Sequence, residues 1–479
     1  MNIAIKRQNF LRFIIFILVI NLLFILFLSE NSNAYNFNVK NNALLKRKVD
    51  LAIKNLKKII TNNKKNKINE AITLKDIIKF ALENPKIKSA LNKIKGYKQN
   101  IKIDKSLPDP TFGFTYNNAN GFNNPEIGIV LGSNYTYSFN QEIPFPTKLF
   151  LKSRIAKMHY TSLNDNFIGF SLLTVLNAKY LYYDLALTNS YIAIIKYDYS
   201  LLKMIKKIVQ ESYVIKKTDA TGPVRLMLEM IDMKSDLITL KVRRKKFLLF
   251  ISLITDKKFN YIKNNLKPAF PLHISYDKFN CKKLLHIAYR RNPYIKSAEY
   301  LYKQSKLTLS LAKQGFYPNF FVSLGYGYRY FYPPVLTAGI GLSVPLYFNE
   351  KQIPDIKKTK KYMLSTIYKK NWVYLKINSD IKNSLNYLNK YYKLYIANKK
   401  LYLPESIFLL NLYTNSFEVH HSSSFAMVDA FKKVVKSELN VYKYKADYLK
   451  KVAFLKTVIG KISSNYKKIA YKNGNIYKK

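Results

Sequence analysis

The segment from Asn134 to Lys152 changes its periodicity partway along. Tyr135, Tyr137 and Phe139 alternate with Asn134, Thr136, Ser138 and Asn140, the period of two that marks a strand. Pro144 and Pro146 follow. After them comes a long stretch with no proline and one glycine, Gly169. In it Leu172, Leu173, Val175, Leu176, Leu185, Ile194, Ile195, Leu202, Ile205 and Val209 recur at helical spacing. This predicts a helix to about Tyr213, on the order of 100 Å long at 1.5 Å per residue. Asp219 to Pro223 breaks the pattern, and a shorter helix returns from about Val224 to Ile254. A strand ladder needs N–H donors, which proline lacks. Proline also fits a first helical turn, where its missing donor has no partner anyway. Pro144 and Pro146, with Phe145 between them, therefore end the strand and start the helix.

The same plan recurs further on. Asn84-Pro85-Lys86-Ile87-Lys88-Ser89-Ala90 returns as Asn292-Pro293-Tyr294-Ile295-Lys296-Ser297-Ala298. Each is followed by a helical stretch and a proline, Pro110 or Pro318, at the same spacing, and then by aromatic alternating segments. A repeat this long is a duplicated domain plan rather than a solenoid of short units. The second copy predicts a long helix from about Ile353 to Tyr413, a break from Glu418 to Ser424 and a return helix to about Ile459. Pro345, in Val344-Pro345-Leu346, is expected to play the part of Pro144 and Pro146.

Each copy holds two strand candidates. Phe112, Phe114 and Tyr116 alternate with Thr111, Gly113 and Thr115, and the second strand runs from about Ile127 to Ile143. Phe320, Val322, Leu324, Tyr326 and Tyr328 alternate with Phe321, Ser323, Gly325, Gly327 and Arg329. In the fourth, Ala338, Ile340, Leu342 and Val344 face one way and Thr337, Gly339, Gly341 and Ser343 the other. One apolar face and one small or polar face suit a membrane barrel as well as a half-buried soluble sheet. Four strands cannot close a barrel, for which about eight is the working minimum, and an open edge in lipid leaves backbone groups unpaired. Strands that cross a bilayer here must be shared among chains, and three chains give twelve.

The start of the chain bears on compartment. Lys6, Arg7 and Arg12 precede an apolar run from Phe13 to Leu28, and Ser32-Asn33-Ala34 offers small residues for cleavage. This predicts a signal peptide cut after Ala34, with an uncleaved anchor as the rival reading. No cysteine lies near the cut, so lipid attachment is not expected there. The one cysteine of the 479 residues, Cys281, excludes an intramolecular disulfide and argues against a Cys-based zinc site. The net charge of +53 raises nucleic-acid binding. The lysines are spread along the whole chain, however, and accompany an excess of Asn, Ile, Tyr and Phe. That fits compositional drift better than a polycationic module. Five histidines include one adjacent pair, His420-His421, read as a solvated turn rather than a metal site. No paired carboxylates, nucleophile motif or glycine-rich phosphate loop stands out, so neither an enzyme nor a cofactor is expected.

Several segments resemble the outer membrane efflux protein family, the TolC-like outer membrane channels. Leu107-Pro108-Asp109-Pro110 resembles the family's LPDP before its first strand. Gln141-Glu142-Ile143-Pro144-Phe145-Pro146-Thr147-Lys148 is similar to QEIPFPGK, with Thr147 in place of glycine. Leu403-Pro404-Glu405 resembles LPQ in the second long helix. Val428-Asp429-Ala430, Glu438-Leu439 and Ala446-Asp447-Tyr448 resemble the return helix. The resemblance implies a mainly α chain with a membrane β-barrel part. Its homotrimer would have a twelve-stranded β-barrel continued by a long periplasmic α-helical barrel. It also implies a channel in the outer membrane that meets a periplasmic adaptor and an inner-membrane pump of resistance-nodulation (RND) or ABC type. It implies no covalent chemistry, no cofactor and no nucleic acid.

The expected division is a signal peptide over 1–34, a basic extension over 35–71, one efflux repeat over 72–278, a second over 279–463 and a basic tail over 464–479. Asp429 matches the second of two aspartates that the family often carries near its tip constriction. Ala426 stands where the first would be, and Arg225 lies at the roughly equivalent place in the first copy. Asp429 and Arg225 are thus the candidate periplasmic gate. Asp219, Gly222, Pro223, Glu418, His420 and His421 are the candidate adaptor-contact turns. The rival function is a periplasmic adaptor protein, which would need one helical hairpin flanked by compact β domains.

Overall fold

The computed structural model describes residues 71–117, 133–214, 221–271, 274–276, 279–329, 332–418 and 423–460. The expected leader, its cut after Ala34, the basic tail, Asp219, His420 and His421 lie outside these residues. Four strands form one antiparallel sheet in chain order: β1 (Thr111–Asn117), β2 (Asn134–Ile143), β3 (Asn319–Tyr328) and β4 (Val335–Ser343). The part of the second expected strand before Ser133 also lies outside the described residues. Val344, expected in the fourth strand, falls just past its end.

The register sorts the side chains by face. Phe112, Phe139, Leu324 and Ala338 lie opposite one another across the four strands, as do Phe114, Tyr137, Tyr326 and Leu336. The adjacent row on the other face is Gly113, Ser138, Gly325 and Thr337. One face is therefore aromatic and aliphatic, the other small and polar. Among the described residues no helix covers the apolar face: Phe112 is 80% exposed, Leu336 79% and Ile340 84%. Three residues depart from the alternation. Val335 lies on the polar side, opposite Gly327. Gln141 points to the apolar side, and its amide donates to the carbonyls of Pro108 (2.9 Å) and Glu142 (2.7 Å). Phe321 lies on the polar side across Gly341, whose missing Cβ leaves room for the ring.

The helices before the first strands are α1 (Leu74–Leu82) and α2 (Pro85–Ile103). After them come α3 (Pro146–Val214), α4 (Thr221–Thr255) and the short α5 (Phe259–Asn265). Helix α3 has 69 residues. Then follow α6 (Cys281–Arg291) and α7 (Pro293–Lys313) before β3, and α8 (Gln352–Ala397) after β4. A π-helical segment (Asn398–Tyr402) joins α8 to α9 (Leu403–Glu418), and α10 (Ser424–Val458) closes the described fold. The sequence reading expected an uninterrupted helix here. Pro404 supplies the reason for the departure, because it has no N–H to give the Lys400 carbonyl and its ring would clash with that group. The wider π turn just before it absorbs the conflict.

Contacts along α3 run in opposite directions on its neighbours. Arg244 Nε donates to Asn189 Oδ1 at 3.0 Å and Lys234 lies 5.8 Å from the Tyr199 ring, so α4 is antiparallel to α3. Ser153 Oγ donates to the Ile101 carbonyl and His159 meets the edge of Tyr97, so α2 is antiparallel to the first part of α3. Helices α2 and α4 thus share α3 end to end. Their junction is Asn84. Its Oδ1 caps α2 by accepting from Lys86 N at 2.9 Å, while its Nδ2 donates to the last carbonyls of α4, Leu253 (3.0 Å) and Ile254 (3.1 Å). Asn292 does the same for α7 and α10: Oδ1 accepts from Tyr294 N (2.8 Å) and Ile295 N (3.2 Å), and Nδ2 donates to Val458 O at 2.7 Å. Both asparagines precede a proline that starts the helix without a lost donor. Gly460 takes the left-handed conformation after α10 at φ 67°, and a Cβ there would meet the Arg291 carbonyl.

The core follows the helices as a chain of clusters. Of the apolar positions expected in α3, Leu172, Leu176, Leu185, Ile195, Leu202, Ile205 and Val209 are buried, whereas Leu173 is 40% exposed. The cluster farthest from the strands joins Leu202 and Val209 to Leu226, Met427 and Phe431.

These junctions predict an order of losses. Asn292 is only 2% exposed and satisfies three backbone groups, so Asn292→Ala removes about 1–3 kcal/mol. Asn84 is less buried, and Asn84→Ala should cost less. Thermal unfolding of the two variants checks this; equal Tm shifts would contradict it.

Candidate functional site

The strand-to-helix joint after β2 is built from both halves of the chain. Strand β2 ends at Ile143, Pro144 is buried, and Pro146 is the first residue of α3. This is the arrangement expected from the two prolines. The Phe145 ring stacks on Tyr317 at 4.9 Å and on Phe320 at 6.4 Å. Lys148 Nζ donates to the Tyr317 carbonyl (2.7 Å) and to Asn319 Oδ1 (2.7 Å). Asn319 Nδ2 donates in turn to Glu142 Oε1 at 2.8 Å. The Thr147 hydroxyl donates to Gln314 Oε1 at 2.5 Å. The corner leading into β3 is therefore clamped by side chains of the corner leaving β2. Burial pushes the Lys148 ammonium below its usual value, partly offset by the Glu142 carboxylate.

Sequence reasoning picked out the prolines and Phe145 but gave no role to Lys148, Glu142 or Asn319. The available signal was position: Lys148 falls one helical turn after Pro144, and Asn319 directly follows Pro318.

The joint after β4 differs from the expectation. Pro345 follows the end of β4, but turn residues 346–351 intervene before α8 begins at Gln352. Pro345 ends a strand and does not start a helix. Pro354, in the first turn of α8, occupies the helix-starting place, where a missing donor is harmless.

At the other end, Gly222 and Pro223 belong to the first turn of α4 and not to the break before it. Gly222 is buried against the start of α10. A Cβ there would fall 2.6 Å from Ser424 Oγ and 3.2 Å from Val209 Cγ1, so glycine lets α4 and α10 meet closely. Glu229 and Lys432 bridge the same two helices at 2.5 Å. Glu418 is the last residue of α9.

The two gate candidates sit on these helices but do not meet within one chain. The Arg225 guanidinium lies 4.7 Å from the Phe425 ring centre, a cation–π contact. Asp429 is half exposed and pairs with Lys433, one turn on, at 2.8 Å. The cap of α10 is Ser423, whose hydroxyl accepts from Ala426 N at 3.3 Å. Asp429 lies beyond the first turn, where the helix dipole has largely faded. A capping role does not account for it.

Solved structures share this fold at low sequence identity. The outer membrane protein VceC from Vibrio cholerae matches with a TM-score of 0.70 at 11% identity, over 81% of this chain and 96% of that one. The CmeC outer membrane channel of Campylobacter jejuni gives 0.68 at 13% identity, over 86% and 94%. The MtrE outer membrane channel of Neisseria gonorrhoeae, in its open state, gives 0.65 at 14% identity, over 81% and 88%. At such identities the likeness establishes the fold, and it is the fold of outer membrane channels that the motifs led one to expect. No protein-family model matches the chain, and no curated protein matches it by sequence.

The joint yields a direct comparison. Lys148→Met strips one donor from two acceptors, the Tyr317 carbonyl and Asn319 Oδ1, while Pro146→Ala only frees φ at a first-turn position. Limited trypsin digestion should therefore cut faster at Lys152 and Arg154 in Lys148→Met than in Pro146→Ala. Equal rates in the two variants would contradict the clamp.

Proposed function

We propose that this chain is the outer membrane channel component of a tripartite efflux or secretion system. It would carry solutes from an inner-membrane pump across the periplasm and the outer membrane. In this reading residues 72–278 and 279–463 are two copies of one efflux repeat, and three chains combine into one twelve-stranded barrel continued by a helical tube. The observation that carries it is the sheet: among the described residues its mainly apolar face is bare, a small and polar face lies behind it, and the outer edges of β1 and β4 are unpaired. In lipid the bare face is an asset, and the edges are satisfied by the strands of further copies. The matched junctions at Asn84 and Asn292 support the two repeats.

Helix α4 supports assembly independently. Val224, Leu228, Ile231, Ile238 and Val242 form an exposed apolar stripe at helical spacing, with exposures of 56–65%. A stripe of this kind marks a surface that another helix covers. The tip formed by the starts of α4 and α10 is the part that would meet a periplasmic adaptor, with Gly222, Pro223 and the neighbouring turns in contact. Asp429 would recur three times around the axis of a trimer, and Arg225 would serve as a donor from a neighbouring helix.

Two experiments test this reading. Ile340→Arg places a charge on the bare face and should cost the barrel roughly 2–4 kcal/mol near the bilayer midplane. Thr337→Arg, on the opposite face, should instead change conductance while assembly holds. Thr337 is the better probe than Gly341, because any side chain at Gly341 strikes Phe321. Equal assembly defects in the two variants would sink the barrel. At the tip, planar-bilayer recordings of Asp429→Ala should show altered conductance and altered block by divalent cations at unchanged trimer yield. Unaltered conductance and block would remove Asp429 from the gate.

A further inference from the structure

Two acids, buried Asp198 and half-buried Glu438, occupy positions in the helical seam that the apolar pattern reserves for the core. In α3, Ile195, Asp198, Leu202, Ile205 and Val209 repeat at alternating steps of three and four, and all but Asp198 are apolar core residues. In α10, Met427, Phe431, Val434 and Glu438 do the same. Asp198 is 2% exposed, and its Oδ2 is buried without a hydrogen-bond partner. The charge that acts on it is that of Glu438, and burial together with that carboxylate pushes the Asp198 carboxyl up to about 7. Burial raises Glu438 as well. A buried carboxylate without a cation is costly, and two in one seam cannot both ionise cheaply.

The same pair of helices shows the contrasting solution a few turns away. There Asp184 on α3 and Asp447 on α10 are bridged by Lys450, at 2.9 and 3.3 Å. Burial opposes the charge on Lys450, but its hydrogen bond to Asp184 and the fields of both acids outweigh burial and hold it above its usual value. In a chain with 81 Lys and Arg against 28 Asp and Glu, a cation is readily supplied where one is wanted.

The neighbours of the 198–438 level supply none. Tyr197 is pushed up by burial, then by Glu438 and Asp198. Tyr442 is pushed up by burial, then by Glu438 and Tyr395, and Lys399 pulls it the other way. Lys399, in the π segment, is directed to Tyr395, with Nζ 3.4 Å from its hydroxyl. From α4, Lys234 lies over Tyr199, and from α9, Glu405 is exposed. Among the described residues no ion pair reaches Asp198 or Glu438.

We propose that Asp198, buried without a partner in the apolar seam between α3 and α10, keeps its proton while the seam is shut, a pH-sensitive clasp that fastens the long helix α3 to the return helix α10, with the Glu438 carboxylate opposing its ionisation. With the proton in place the seam stays shut. Its loss leaves two carboxylates in an apolar seam, and the seam opens to admit water. The sign follows from the raised carboxyl. The closed seam binds more protons than the open one between about pH 4 and 7, so closure is firmest at low pH and weakens as pH rises through that window. The proposal does not depend on the channel reading.

Hydrogen exchange of the full chain in detergent tests it, followed by mass spectrometry on peptides covering 193–203 and 434–442 and corrected for intrinsic rates. Between pH 6 and 8 the opening equilibrium of these segments should rise about tenfold in the unaltered chain. It should stay flat in Asp198→Asn and rise less in Glu438→Gln, while peptides around the Lys450 bridge stay unchanged in all three. Should Asp198→Asn fail to fold, Glu438→Gln decides alone. A pH response in either variant equal to that of the unaltered chain, or equal loosening around Lys450, overturns the clasp.

Discussion

The constraint on which the rest depends is the pairing of backbone groups at the two outer strands. Among the described residues β1 and β4 each pair on one side only, and the face between them is bare and apolar. Water tolerates the open edges but not so large an apolar face, and lipid tolerates the face but not the edges. The proposed reading meets both demands with a sheet closed through further copies and set in lipid. In that reading the small residues on the other face line an interior, as a conducting barrel requires.

The helices carry the chain away from this sheet through fixed corners. β2 enters α3 through a corner clamped by Phe145, Lys148 and Asn319, so that strand direction and helix direction are fixed together. Below the corner, α3 is long enough to be shared by α2 and α4 in succession. One asparagine joins those two helices and another joins α7 to α10. Each asparagine performs two tasks with one amide: its oxygen caps the helix that starts and its nitrogen satisfies the helix that ends. The joints tie successive helices together while the core itself is a string of separate clusters.

Much of this was legible in the sequence. The alternation of Phe320 to Tyr328 and of Ala338 to Leu342 gave both faces correctly, because period-2 patterning and register are locked together once one face is apolar. The Asn-Pro pair announced itself by repeating. The misses have local causes. Pro345 and Pro144 look alike in sequence, but the turn residues after Pro345 delay the helix until Gln352, and nothing in the pattern counts turn residues. Pro404 was read only as part of a motif, although a proline inside a long helix also signals a distorted turn. Arg225 and Asp429 were paired by position, yet within one chain Phe425 and Lys433 are nearer at hand. Asp198 was passed over because a single acid among apolar residues hardly disturbs a helical period.

The central claim is that several copies of the chain share one barrel. Native mass spectrometry of the detergent-extracted protein measures this most directly, since it counts chains without reference to conduction or partners. The account predicts one dominant species of three chains that persists as detergent is stripped in the gas phase. A dominant single chain, or a species whose strands cannot total twelve, would contradict it.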